Sequence, residues 1–188
     1  MPSRLSWLVL SVLILLPCSV VLPSSVVGEE FLACTKKELP SEHWNQLFTQ
    51  VLHELVGDDC AAFLGVAPTV RLSTSMTPAA YSSDEVITVS HGLLKILEDR
   101  SEMAFVLAHE LGHIVLHHQH ELTTRSALDG SFRPLDTLIQ REIEADSFAL
   151  DLMRRTNFSP NSGRNLLIRL ASDGETLPSI QRRLKAMH

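Results

Sequence analysis

At 188 residues the chain is long enough for one hydrophobic core and short for two domains. Hydrophobic residues at 45% and charged residues at 20% are ordinary for a folded globular protein and exclude a disordered or fibrous one. The net charge of −6, with no basic stripe, argues against a nucleic-acid partner.

The N-terminus has the order of an export signal. Arg4 supplies a positive start, Leu5 to Leu16 is an uncharged apolar run, and a Pro/Ser-containing stretch leads to Glu29. Cleavage after Gly28 would leave a single domain, residues 29–188, exported to a periplasmic or secreted location. Counted on to Val27 the uncharged stretch is long enough to anchor in a membrane, so residues 5–27 keep membrane association open. Pro17 and Pro23 interrupt such a helix and favour the cleaved form; Pro17 also disfavours lipidation at Cys18. Cys34 and Cys60 then remain as an even pair in an exported domain, which fits a disulfide, with two buried thiols as the alternative.

In chain order, the first predicted helix runs from about Ser41, as N-cap, to Val56. Trp44, Phe48, Val51, Leu52 and Leu55 share one stripe, and Gly57 stops it. Thr69–Ser73 and Val86–Ser90 read as short strands around a turn-rich loop, 75–84. Gly92 to Glu98 is a short helix. A long helix follows, capped by Ser101 and running to about His120, then a polar loop from Thr123 to Arg133. Pro134 suits the first turn of a helix reaching about Arg155. Two more helices are predicted, Gly163 to Ala171 and Ser179 to Met187. The fold class expected is α+β, mostly helical, with a small sheet beside one long active-site helix in the zincin manner.

That long helix carries HELGH, residues 109–113. Residues i and i+4 share a helix face, so His109 and His113 can ligate one zinc ion. Glu110 beside them can act as general base towards a zinc-activated water, without being a ligand. Gly112 keeps the helix surface low, so that a neighbouring element can approach. Downstream, REIEAD (residues 141–146) sets Glu142 and Asp146 one turn apart. Glu142 is read as the third ligand and Asp146 as the carboxylate that orients a ligand imidazole; Glu144 is read as solvated. Gln119, six residues after His113, is not histidine, which disfavours a metzincin site. His117, His118 and His120 read as a solvated helix end, and His53 as a surface residue.

HELGH followed by REIEAD resembles the HtpX-like zinc endopeptidases, a gluzincin group. The stretch ITVSHGLLKILEDRSEMAFVLAHELGHIVLHH resembles that family's strand, Gly-Leu-Leu helix and active-site helix in order. The resemblance covers about Val70 to Leu152. It implies zinc on His109, His113 and Glu142, catalysis by Glu110, and a polypeptide substrate. His118 falls on a histidine often seen shortly after the motif. The chain departs from the family pattern in having Leu177 where a histidine usually precedes proline, upstream of Arg183, and in having Thr77-Pro78-Ala79-Ala80 where an Asn-Ala signature is usual.

The expected activity is therefore zinc-dependent endopeptidase, with one zinc ion per chain. The competing class is a non-catalytic binding protein or chaperone whose zinc is closed off by a fourth protein ligand. A substrate peptide is expected to add to Val86–Ser90 as to a sheet edge. Tyr81, His91 and Arg183 are candidates for steadying the oxyanion.

Overall fold

The computed structural model describes residues 40–57, 64–118, 135–172 and 177–187. Residues 1–39, which include the expected export signal and Cys34, and also Cys60, His120 and the 123–133 stretch, lie outside the described residues. Helix α1, Ser41–Val56, buries Trp44, Phe48, Val51, Leu52 and Leu55, the stripe expected from the sequence. Ser41 does not cap it. Pro40 holds the cap position and no side chain bonds there, while Gly57, at φ 82°, ends the helix and donates to the His53 carbonyl.

Three strands form one sheet in the order β1-β3-β2, where β1 is Thr69–Ser73, β2 Ala80–Ser83 and β3 Val86–Ser90. β1 lies parallel to β3, and β2 antiparallel to it. Two expectations fail here. The 75–84 segment is not all loop, because Ala80–Ser83 pairs with β3 through a two-residue turn with Asp84 at φ 52°. Val86–Ser90 is the central strand, flanked on both sides, which explains why Ile87, Thr88, Val89 and Ser90 are all buried. No peptide can add to it; the edges are β1 and β2.

Helix α2, His91–Leu94, is shorter than predicted. Ser90 caps it, and its hydroxyl accepts from the N–H groups of both Ala79 and Leu93. Gly92 donates to the Ser75 carbonyl, and a Cβ there would meet the Met76 carbonyl oxygen at 2.1 Å. The approach to β2 is therefore tied down at both Ser75 and Ala79.

Helix α3, Arg100–Val115, is buried along almost its whole length. Its cap is Asp99 and not Ser101, with Asp99 Oδ1 accepting from the Glu102 N–H at 2.7 Å. Glu102 reaches back to the Glu98 N–H and takes a 2.5 Å hydrogen bond from Arg169, so a buried carboxylate locks this helix start to a later helix. Burial raises the Glu102 pKa, against the pull of Arg169.

The remaining helices are α4, Leu135–Met153, α5, Pro160–Ser172, and α6, Leu177–Ala186. Each lies within a few residues of its predicted span. α4 packs along α3, and α5 covers the start of α3 because Gly163 has no side chain: a Cβ there would lie 2.2 Å from the Phe105 ring. The result is the expected mostly helical α+β domain with a three-stranded sheet beside the buried helix.

Candidate metal centre

His109 and His113 face the same way from α3, and their Nε2 atoms stand 3.1 Å apart. From α4, Glu142 meets both. Its Oε2 is 3.3 Å from His109 Nε2, and its Oε1 is 3.4 Å from His113 Nε2. One ligand atom from each of the three residues lies within 4.8 Å of the other two, and among the described residues no fourth His, Cys, Asp or Glu joins them.

Gly112 makes this meeting feasible. An added Cβ would already sit 3.2 Å from the Ala145 Cα, so the helices run as close as a bare backbone allows. Phe105 supports His109 from one turn earlier, with ring centroids 6.0 Å apart.

Asp146, one turn beyond Glu142, is almost wholly buried and its Oδ1 is 2.8 Å from His109 Nδ1. Arg183 of α6 completes the corner. Its Nε and Nη2 donate to the two oxygens of Asp146 at 2.8 and 2.7 Å, and its Nη1 stands 3.1 Å from Glu142 Oε2. One guanidinium thus clamps both acidic residues of α4.

The electrostatics follow from these contacts. Burial opposes charging His109, but hydrogen bonds with Asp146 and Glu142 outweigh it and hold the ring's pKa at about 9. Burial would raise both carboxyls, yet His109, His113 and Arg183 hold Glu142, and Arg183 and His109 hold Asp146, below the usual carboxylate range.

The residues fit a zinc ion on their own chemistry. With its Nδ1–H given to Asp146, a neutral His109 turns a bare lone pair towards His113 and Glu142. Two lone pairs and a carboxylate cannot share so small a space without a positive charge among them. In the metal-free protein the proton on His109 supplies that charge, and a divalent cation would supply it better.

Glu110 is buried at the floor of two adjoining cavities, both lined also by Ala80, His109 and Glu142. Among the described residues no side chain is hydrogen-bonded to its carboxylate. One cavity, about 250 Å³, is bordered by Tyr81, Ser82, His113, His118, Leu138 and Arg141. The other, about 200 Å³, is mostly apolar, with Pro78, Leu93, Phe105, Leu166, Leu167 and Leu170 in its wall, and Arg183 also lining it. Of the three oxyanion candidates, Tyr81 lines the first cavity, Arg183 is engaged with carboxylates, and His91 lines neither.

His118 differs from expectation. It is buried, not a solvated end, with its Nδ1 2.8 Å from His113 Nδ1 and its Nε2 3.3 Å from Glu144 Oε2. Helix α3 stops at Val115, five residues short of the expected end. His117, at φ 55°, turns the chain back. Glu144 is half exposed as expected but is not purely solvated, since it contacts His118 and Gln140.

Two family models match the chain. Peptidase family M48 matches residues 45–133 and Peptidase U49 matches residues 101–187. Both matches include the HELGH helix, and together they support a peptidase acting on polypeptides. No curated protein matches the chain.

Proposed function

We propose that this chain is a zinc-dependent endopeptidase in which His109, His113 and Glu142 hold the ion and Glu110 is the general base. The observation that carries the reading is the convergence of two Nε2 atoms and one carboxylate beside a cavity whose floor includes Glu110. A bound zinc ion would polarise a substrate carbonyl and lower the pKa of water there.

The protein's own groups do the rest. Glu110 takes a proton from the water whose oxygen attacks the carbonyl carbon. It returns that proton to the amine nitrogen as the C–N bond breaks. Asp146 keeps the His109 Nδ1–H, so the opposite nitrogen faces the cavity unprotonated. Arg183 holds Asp146 and Glu142 in register.

The substrate lies extended along β2, the sheet edge whose Ala80, Tyr81 and Ser82 line the cavity. An apolar side chain next to the scissile bond enters the pocket of Leu93, Phe105 and Leu167. Export through residues 1–28 places the hydrolysis outside the cytoplasm.

Glu110→Gln tests the reading. The variant is expected to keep one zinc per chain and to cleave casein at least about 100-fold more slowly. Cleavage at the wild-type rate would end the proposal. The competing class, a closed structural zinc site, requires a fourth protein ligand, and none is present among the described residues.

A further inference from the structure

We propose that His118 and Glu144 form a relay that fixes the His113 ring for metal binding, doing through a second histidine what Asp146 does directly for His109. The inference rests on the reading of His109, His113 and Glu142 as metal ligands.

Counting protons gives the relay its direction. His113 can ligate through Nε2 only if that nitrogen is bare, so a neutral His113 carries its proton on Nδ1. The neighbour of Nδ1, at 2.8 Å, is His118 Nδ1. Two N–H groups cannot face each other at that distance, so His118 Nδ1 is the acceptor and is itself unprotonated. The His118 proton is then on Nε2, which points at Glu144 Oε2, 3.3 Å away. Every proton has an acceptor, and both tautomers are set by one carboxylate at the end of the line.

Two features hold His118 where this requires. In a continuous helix, a residue five positions on from His113 would lie about 140° round the axis, away from the metal face. The left-handed turn at His117 breaks the helix and brings His118 back under His113. Buried Arg141, from the ligand-bearing helix α4, donates to the His118 carbonyl at 2.9 Å and fixes its backbone. The two imidazole ligands therefore have unequal supports, a buried carboxylate in one case and a buried neutral ring in the other.

His118 is thus a positioning residue, and its test is metal binding, not only turnover. The full exported domain is titrated with zinc against a chromogenic chelator. His118→Leu is expected to weaken zinc binding by about 10–100-fold. His118→Asn, whose amide oxygen can stand where Nδ1 stood, is expected to recover most of that loss. Glu144→Ala is expected to cost only a few-fold, since water reaches that half-exposed carboxylate.

Nitrogen-15 NMR of the zinc-loaded wild type gives a check without mutation: His113 should be protonated at Nδ1 and His118 at Nε2 only. Wild-type affinity in His118→Leu, equal losses in the Leu and Asn variants, or the opposite His118 tautomer would each overturn the relay and leave the metal reading intact. A wild type that binds no zinc would overturn both.

Discussion

Gly112 lies against Ala145 so closely that a Cβ on the glycine would stand 3.2 Å from the alanine Cα. The neighbour that would have to give is helix backbone, and that backbone carries Glu142 three residues before and Asp146 one residue after. Gly112→Val is therefore expected to cost about 1–3 kcal/mol from overpacking. It should also weaken zinc binding, because α4 can relax only by withdrawing its carboxylates. Thermal melts with and without zinc check this: the zinc-dependent gain in Tm should shrink in the variant. An undiminished gain would show that the close approach is not what sets the site.

The pKa of His109 ties metal uptake to pH. In the metal-free protein its raised pKa, about 9 against an ordinary 6.5, means that its stabilising contribution is complete below about pH 6.5. That contribution is lost as pH rises through about 9. Zinc must displace the same proton, so apparent affinity should rise by up to about tenfold per pH unit below that pKa. Calorimetry in two buffers of different ionisation enthalpy should detect the proton released near pH 7. His109→Gln should abolish both the release and the loss of metal-free stability between pH 6.5 and 9.5. Proton-neutral zinc binding by the wild type would contradict the account.

The edge role of β2 can be tested at Ala80. The Ser90 N–H donates to the Ala79 carbonyl, and alternation from that pair turns the backbone groups of Ala80 and Ser82 away from β3. A proline at position 80 removes an outward donor and spares the ladder. Ala80→Pro should reduce peptide cleavage by about tenfold, with zinc content unchanged, on the estimate that one charge-free hydrogen bond is worth about 1 kcal/mol or slightly more. Equal cleavage of peptide by variant and wild type would remove β2 from substrate binding.

Leu170 tests the apolar cavity. It is only partly buried, so enlarging it is tolerated better than cutting away Leu166 or Leu167 from the core. Leu170→Trp should narrow the cavity and move the preference in a peptide-library digest from large to small apolar residues at one position. The expected change is about 10-fold or more in relative kcat/KM. An unaltered cleavage profile would mean that no substrate side chain enters there.

Much of the centre was legible because helices repeat. His109 with His113, and Glu142 with Asp146, are each one turn apart, and the periodicity that places them on a face needs no knowledge of the fold. The parts that were not legible depend on breaks in regularity or on strand order. Ala80–Ser83 is a short polar strand between turn residues, with no β-branched run to announce it. Val86–Ser90 has that run because it is buried on both faces, but its place between β1 and β2, which bars it from the edge, is a matter of strand order. His118 joins the site only through a left-handed His117, a conformation that a side chain other than glycine rarely advertises. Arg183 was readable only as a candidate for steadying the oxyanion; its double hold on Asp146 and Glu142 is a matter of how α6 packs.

That hold has a consequence for biosynthesis. Among the groups gathered at the centre, Arg183 is the last to leave the ribosome, well after the histidines and carboxylates are made. Until α6 docks, Asp146 would lack its guanidinium partner and keep only the His109 ring, although the buried side chains of α4 can already pack against α3. A product that stops short of Arg183 should therefore hold zinc more loosely than one that includes it, its two acidic residues being fixed by imidazoles alone.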